Sequence, residues 1–540
     1  MTQSLNLTQT RQSTNTGALA TLVIVFFFWG FIAASNSIFI PFCRTHFSLN
    51  QFQSQLIGSA FYGAYFIGSL TLYLVSSLVG YDILNKIGYK KGIVYGLWIS
   101  VAGALLIIPS ASANSFPALL GSFFIVALGF SLQQTAAQPF AIALGDPSTG
   151  SHRLNLAGGV NSLGTSLGPI IVSFFLFGTP SKGNATVTVT NVNNLYLIVA
   201  GVFAAVALFF AFSKLPEGKD DAKFEGSSKA SGSLITMTLL ILAIIIIGQL
   251  TNVGKLPLLI ITLVIVFGIL LNSYSRASKN SAGWGAMKYQ QLILGMLGIF
   301  LYVGVEVTID NNFGALLKTP GYITESGLLD SQISKYITLY WGSLMIGRWT
   351  GAIGVFELTG NNKRIATIVV PLIAFALVLF FNHLYGNDVS DLYAYVGVVA
   401  LAIAAFFFGQ QKPVKTLLTL ALLGSFAMLF GVATKGIVSV YAFMAGGLCC
   451  SIMWPCIFSL GVAGLGKYTS QGSAFLIMMI LGGAVIPPFQ GSIGDNTGNM
   501  HISYLVAASC FLALAYLAVR FRTVLKAQGL HFDDQIGGGH

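Results

Sequence analysis

The residue of this chain best suited to carry chemistry is Glu306, one of 16 acidic residues in 540. It lies in the apolar stretch GMLGIFLYVGVEVTIDNNFG, where a carboxylate facing lipid would cost about 2.5 kcal/mol or more. We therefore expect Glu306 to face an aqueous cleft, where it can bind hydroxyl groups, exchange a proton or coordinate a cation. Asp310 lies four residues later on the same helical face, and a solvated outer surface is its alternative.

Amide side chains occur on other apolar stretches. Gln134 lies in the fourth stretch, Asn161 in the fifth, Asn36 in the first, and Asn311 follows Asp310. Uncharged amides both donate and accept hydrogen bonds, so they suit the hydroxyls of a neutral ligand. The alternative for each is a hydrogen bond between helices worth under about 1 kcal/mol.

Trp341 and Trp454 also fall within apolar stretches and could stack against pyranose rings, with ordinary packing as the alternative. Arg348 is the basic residue placed deepest in such a stretch. At the helical rise it lies roughly 10 Å nearer the cytoplasm than Glu306. We therefore expect Arg348 to snorkel, or to cap carbonyl oxygens at an inner gate, rather than to pair with Glu306.

The composition predicts an all-α polytopic membrane protein, because 55% of residues are hydrophobic, 8% are charged and 61 are glycine. About sixteen apolar stretches are long enough to cross a ~30 Å hydrocarbon layer as helices. Most of the 27 Lys and Arg residues fall in segments that would be cytoplasmic if both termini are. This topology and anionic lipid headgroups explain the net charge of +11, so nucleic acid is not an expected partner.

Neither a metal site nor an enzyme is expected. The five cysteines are odd in number and lack metal-ligand spacing, and the six histidines are scattered over loops and the tail. No nucleophile, base and orienting group occur at a usable spacing. No cofactor is predicted, and the one metal left open is a sodium ion near Glu306.

The pattern of stretches divides the chain into two halves, each with six predicted helices. The predicted segments are a cytoplasmic tail at 1–17, an N-terminal bundle at 18–213, a cytoplasmic linker at 214–232, an extra transmembrane hairpin at 233–273, a C-terminal bundle at 285–520 with a hairpin inserted at 364–408, and a cytoplasmic tail at 521–540.

The two halves share short signatures in the same order, which indicates an internal repeat. The spacing between paired signatures increases across the second hairpin, as an insertion in one repeat requires. Two six-helix repeats of the same orientation are the architecture of the major facilitator fold, with substrate held between them; a duplicated scaffold is the alternative. The pairs are YGAYFIGS with WGSLMIGR, PFAIALG with PCIFSLG, and LGTSLGP with LGGAVIP.

The chain resembles the fucose/glucose/galactose:cation symporter family of the major facilitators over essentially all twelve core helices. The resemblance is densest in FFFWGFIAASNSIFIPF, TAAQPFAIALG, RLNLAGGVNSLG, LYVGVEVTID, YWGSLMIGRWTGA and ILGGAVIPPFQG. It implies import of neutral sugars, commonly driven by protons or sodium. Fucose-type members carry an aspartate where this chain has Ser37 and a glutamate where it has Gln134, so the resemblance is closer to the glucose/galactose branch.

Two further departures affect the expected mechanism. Gly58 and Gly158 replace frequent family glutamines, which predicts a larger or differently connected pocket. Asn85 replaces the usual acidic residue of the loop signature YDILNKIGYKKG, which puts a charge latch at that loop in doubt.

Together these patterns predict a monomeric transporter of a bacterial inner membrane that imports a hexose such as glucose or galactose. Asn36, Gln134, Asn161 and Asn311 are assigned to sugar hydroxyls, Glu306 to the sugar, the coupling proton or sodium ion, or both, and Asp310 to the ion. Because the first half lacks a membrane carboxylate, an uncoupled sugar facilitator is the alternative. A sugar sensor or a membrane-embedded enzyme is a more distant one.

Overall fold

The computed structural model describes residues 13–48, 51–146, 149–177, 188–217, 227–251, 253–328, 330–356, 358–409 and 412–530. The described chain is built from helices joined by short loops. The first half contains α1 (Thr16–His46), α2 (Gln51–Val79), α3 (Ile83–Ile87), α4 (Tyr89–Ser112), α5 (Phe116–Ala143), α6 (Gly150–Phe177) and α7 (Val189–Phe212).

A hairpin that we call the first hairpin follows, formed by α8 (Ser228–Leu250) and α9 (Lys255–Lys279). The second half contains α10 (Gln290–Leu317), α11 (Asp330–Ala352), α14 (Pro413–Ala433), α15 (Gly436–Cys450), α16 (Met453–Val462), α17 (Thr469–Met478), α18 (Gly482–Thr497), α19 (Met500–Ser503) and α20 (Leu505–Ala527). The second hairpin, α12 (Gly360–Leu384) and α13 (Val396–Gly409), is inserted after α11.

Within the described residues, thirteen helical segments are long and apolar enough to cross a membrane. Helices α1, α6 and α11 run alongside them. The first hairpin is 28% and 22% buried over its two apolar windows, whereas α10 is 94% buried. Helix α10 therefore lies at the centre of the protein, and the first hairpin lies at its perimeter.

Glycines allow neighbouring helices in the first half to approach closely. A Cβ built on Gly96 of α4 would lie 2.6 Å from the carbonyl oxygen of Gly129 on α5, and one on Gly129 would lie 2.4 Å from the carbonyl oxygen of Gly96. Small residues at such crossings permit backbone contact where lipid provides no hydrophobic drive for association. The high glycine content is thus used in helix packing.

We call the side on which α1 begins and α20 ends the inner side; the basic residues predict it to be cytoplasmic. On this side α6 packs against α11, and α2 and α5 pack against α17. His152 Nδ1 lies 3.0 Å from the carbonyl oxygen of Gly351, and Ser473 donates to the carbonyl oxygen of Thr135 at 2.8 Å. The two halves are therefore in contact on the inner side.

The loop after α2 adds to this contact. Asn85 donates to the carbonyl oxygen of Lys467 at 3.1 Å, and Ser470 donates to the Asp82 carboxylate at 3.0 Å. Asn85 thus joins the halves through an uncharged hydrogen bond, in place of the charged latch that the sequence put in doubt. The carboxylate in this contact belongs to Asp82, three residues before Asn85.

Candidate functional site

Glu306 lies in the middle of α10 and takes part in a cluster of polar side chains. Its Oε1 accepts hydrogen bonds from the Tyr302 hydroxyl at 2.7 Å and from Arg348 Nη2 at 3.1 Å. Tyr340 donates to the backbone carbonyl oxygen of Glu306 at 2.7 Å. The side chains of Glu306 and Arg348 are each 12% exposed. Glu306 therefore forms a largely buried ion pair inside the protein.

The prediction that Arg348 would not pair with Glu306 was wrong. Spacing along each helix leaves out the length of the arginine side chain, which reaches from α11 to the Glu306 carboxylate at 3.1 Å. The predicted carbonyl capping does occur, because Nε of Arg348 donates to the carbonyl oxygen of Ser451 at 3.1 Å. One guanidinium group fulfils both roles.

Arg348 also reaches the other half of the protein. Its Nη1 donates to the Ser162 hydroxyl of α6 at 2.9 Å and to the carbonyl oxygen of Gly158 at 3.5 Å. The planar guanidinium has five donors in a fixed arrangement, so it can bind a carboxylate and two helices together. Arg348 consequently connects Glu306 in the second half to α6 in the first.

Two glycines and a helix break allow this placement. The interruption between α15 and α16 leaves the Ser451 carbonyl oxygen available to Arg348, since a helix end has unpaired carbonyls. A Cβ on Gly347 would lie 1.8 Å from the Ser451 hydroxyl oxygen, and one on Gly158 would lie 3.2 Å from Arg348 Cδ. The space that Gly158 was expected to add to a pocket is therefore occupied by Arg348.

We expect Gly347→Ala to destabilise the protein, although alanine normally favours a helix over glycine by about 1 kcal/mol. The added methyl group would force α11 away from Ser451, and overpacking of this kind costs about 1–3 kcal/mol. Thermal unfolding of the purified protein in detergent measures the effect. Gly201→Ala on α7 is the control, because nothing lies within 4 Å of its added Cβ. A Gly347→Ala protein as stable as the control would contradict this packing.

Asp310 lies one turn toward the outer side from Glu306. The Asp310 carboxylate lies near the Trp341 side chain, and its Oδ1 is buried and has no hydrogen-bond partner. Asn311 is exposed, and Asn312 is buried and donates to the carbonyl oxygen of Pro487 at 3.3 Å. Asp310 therefore offers one acceptor to a ligand, and Asn312 has a packing role.

The first half contributes Gln134 and two tyrosines of α2. Gln134 donates to the Tyr65 hydroxyl at 2.9 Å. Tyr62, one turn away on α2, lies within electrostatic range of Glu306 and Asp310. The two tyrosines therefore lie between the Gln134 position and the carboxylates of the second half.

The other predicted residues have different surroundings. Asn161 donates to the carbonyl oxygen of Phe26 on α1 at 2.9 Å, so its amide nitrogen has the helix-to-helix role that was the alternative. Trp454 lies 6.0 Å from the Tyr302 ring, next to the ion pair. Asn36 lies on α1, but its side chain is outside the described residues.

No group of three or more His, Cys, Asp and Glu side chains that could hold a metal ion occurs in the part of the chain that the structure describes. All five cysteines are buried, and none forms a disulfide bond in the described structure. The candidate site is therefore an ion pair surrounded by tyrosine, tryptophan and amide groups, located where the two halves meet.

Comparison with known proteins identifies the class of protein to which this fold and site belong. The sequence profile of the Major Facilitator Superfamily matches residues 21–411. The crystal structure of the fucose:proton symporter of E. coli superimposes with a TM-score of 0.61 at 22% identity, over 93% of this chain and 98% of that one. The chain belongs to the Major Facilitator Superfamily and is a multi-pass membrane transporter rather than an enzyme.

Curated relatives make the relationship more specific. A glucose/galactose transporter of Brucella abortus is 30% identical over 510 residues, covering 94% of this chain and 95% of the relative. A putative glucose/galactose transporter of Helicobacter pylori is 29% identical, and the L-fucose-proton symporter of Escherichia coli is 27% identical, over 94% and 93% of this chain and 98% and 92% of the relatives. The predicted resemblance to the fucose/glucose/galactose symporters is confirmed.

Proposed function

We propose that this protein imports a neutral hexose across a bacterial inner membrane by proton symport, with Glu306 as the coupling carboxylate. The observation that carries the proposal is the buried Glu306–Arg348 ion pair, from which Arg348 also extends to Ser162 in the other half. The relatives named for glucose/galactose and fucose transport support a sugar as the solute.

The side chains around the ion pair suit a polyhydroxylated ring. Glu306 and the Gln134–Tyr65 pair can exchange hydrogen bonds with hydroxyls, and charged acceptors form the stronger ones. Trp454 and Trp341 provide aromatic faces beside Glu306 and Asp310. The neutral Gln134 in the first half, and a Glu306 carboxylate whose charge Arg348 already balances, favour an uncharged solute.

Arg348 can couple proton binding to opening because it links the charge on Glu306 to the contact between the halves. While Glu306 is charged, it fixes the guanidinium in contact with Ser162 and Gly158, and the halves stay together on the inner side. A proton on Glu306 removes the negative charge that balances Arg348. A buried ion pair that loses one of its charges is destabilised by about 3–5 kcal/mol. Proton binding together with sugar would thus weaken the inner contact and allow the inner side to open.

The same geometry favours a proton over sodium at Glu306. A sodium ion at Oε1 would lie beside the guanidinium, and like charges at this distance repel strongly in a buried site. The Asp310 Oδ1 atom, which has no hydrogen-bond partner, is the alternative position for a cation. A sodium-driven transporter would therefore place its ion at Asp310.

Radiolabelled glucose and galactose uptake into proteoliposomes tests the proposal, with an inward proton gradient and an inward sodium gradient imposed separately. A pH difference of one unit supplies about 1.4 kcal/mol, enough for about tenfold accumulation at one proton per sugar. We expect accumulation with the proton gradient. Accumulation with the sodium gradient alone would assign coupling to a sodium ion at Asp310. Equilibration without accumulation would favour the uncoupled facilitator.

A further inference from the structure

The start of the first hairpin lies between the two halves on the inner side. Ser227 precedes α8 and is 3% exposed. Its hydroxyl shares a hydrogen bond of 2.5 Å with the hydroxyl of Tyr73 on α2 and accepts from Gln471 of α17 at 3.4 Å. Ser231, one turn into α8, shares a bond of 2.9 Å with the same Tyr73 hydroxyl.

The Ser227 hydroxyl does not have the role that its position predicts. A serine at the N-cap usually accepts a hydrogen bond from a backbone N–H of its own first turn. At Ser227 no such bond is present, and its hydroxyl is directed to Tyr73 and Gln471 instead. The partners of the Ser227 hydroxyl are therefore on other helices.

The first hairpin is attached to the second half of the protein. Tyr274 of α9 donates to Gln290 at 3.2 Å, and Arg520 of α20 donates to Tyr274 at 3.3 Å. Helix α9 also packs against α10 and α18. When the halves move apart on the inner side, the hairpin should accompany the second half, and its contacts with α2 must break.

We propose that the start of the first hairpin is a third component of the inner gate, in which Ser227 and Ser231 hold Tyr73 of the first half while the inner side is closed. The ring of Tyr73 reinforces this contact, packing edge-on against Phe475 of α17 at 4.7 Å between centroids. Ser227, Ser231 and Tyr73 are positioning residues for gate opening, and the hairpin's role extends beyond the lipid-facing perimeter. The inference rests on the alternating access of the proposed function.

Hydrogen–deuterium exchange on the full-length protein in nanodiscs tests this gate, without sugar or an ion gradient. Tyr73→Phe keeps the ring and removes the hydroxyl, which contacts the hydroxyls of Ser227 and Ser231 and the carbonyl oxygen of Ser227 at 3.2 Å. Loss of these contacts should favour the open state and increase roughly tenfold, or more, the exchange rate of amides that exchange when the gate opens. We expect this increase at the start of α17 and at the inner end of α5. Ser227→Ala combined with Ser231→Ala should give a smaller increase in the same segments, because the Tyr73 hydroxyl keeps the Ser227 carbonyl oxygen as a partner.

Tyr322→Phe is the matched control, because its hydroxyl donates to Ser439 at 2.6 Å within the second half. It should leave exchange of the inner segments unchanged. Unchanged exchange in Tyr73→Phe, or an equal increase in both variants, would overturn the gate role. The exchange experiment measures neither sugar transport nor proton coupling. A failure of either one in the uptake assays therefore does not change its result.

Discussion

Glu306→Gln is expected to abolish accumulation of sugar against a gradient while leaving sugar exchange across the membrane. Glutamine keeps an oxygen that can accept from Tyr302 and Arg348, but it cannot exchange a proton. The sugar can still bind and the halves can still move, without any linkage to the proton gradient. Proteoliposome uptake at one pH unit of gradient should fall from about tenfold accumulation to equilibration.

Counterflow in the same vesicles shows whether the variant still moves sugar. Glu325→Gln is the control, because Glu325 is an exposed carboxylate in the outer loop after α10. This variant should accumulate sugar as the unaltered protein does. Full accumulation by Glu306→Gln would remove Glu306 from the coupling mechanism, even if Glu306 binds the sugar.

The Glu306–Arg348 pair should also account for a large share of stability, as a double-mutant cycle can measure. Arginine keeps its charge inside proteins, so Glu306→Gln leaves an uncompensated cation, at a cost of about 3–5 kcal/mol. Arg348→Gln leaves a carboxylate that can become neutral by taking up a proton, so its cost should be smaller. The double variant, which carries neither charge, should be more stable than Glu306→Gln alone.

Unfolding free energies of the two single variants and the double variant give the coupling energy, expected to be about 1–3 kcal/mol. The Lys335–Asp391 pair on the outer side is a control, at 2.7 Å but with side chains 15% and 33% exposed. Exposed pairs contribute about 0.2–1 kcal/mol, so its cycle should give a smaller value. Additive effects at Glu306 and Arg348 would contradict an energetically coupled pair.

The helices were largely predictable from the sequence, because length and apolarity are strong signals in a membrane protein. Glu306 was identifiable for the same reason, since a carboxylate in an apolar helix is costly. Gln134 was assigned to the ligand, and this assignment stays a prediction; in the structure its amide donates to Tyr65. These inferences needed only the properties of one residue and its local surroundings.

Contacts between distant helices were harder to predict. Spacing along α11 placed Arg348 too far from Glu306. Gly158, which lies against Arg348, was interpreted as a sign of a larger or differently connected pocket. Asn161 was assigned to the ligand, although its amide nitrogen binds α1. Each case depends on the tilt and approach of neighbouring helices, which the local sequence does not encode.

In this chain the predicted titratable group is in the second half. Gln134 cannot exchange a proton, and the part of α5 around it is occupied by neutral hydrogen bonds. Arg348 provides a physical link by which a charge change on α10 can reach α6. In the proposed mechanism a proton on Glu306 acts on the first half through Arg348.

Sugar-dependent proton movement is the most direct test of this account. Proteoliposomes containing a pH-sensitive dye, with no imposed gradient, should acidify inside when glucose or galactose is added outside. The Glu306→Gln protein should transport the same sugar without acidification. Equal acidification by both proteins would contradict the assignment of coupling to Glu306, and sugar entry without acidification by the unaltered protein would contradict proton symport.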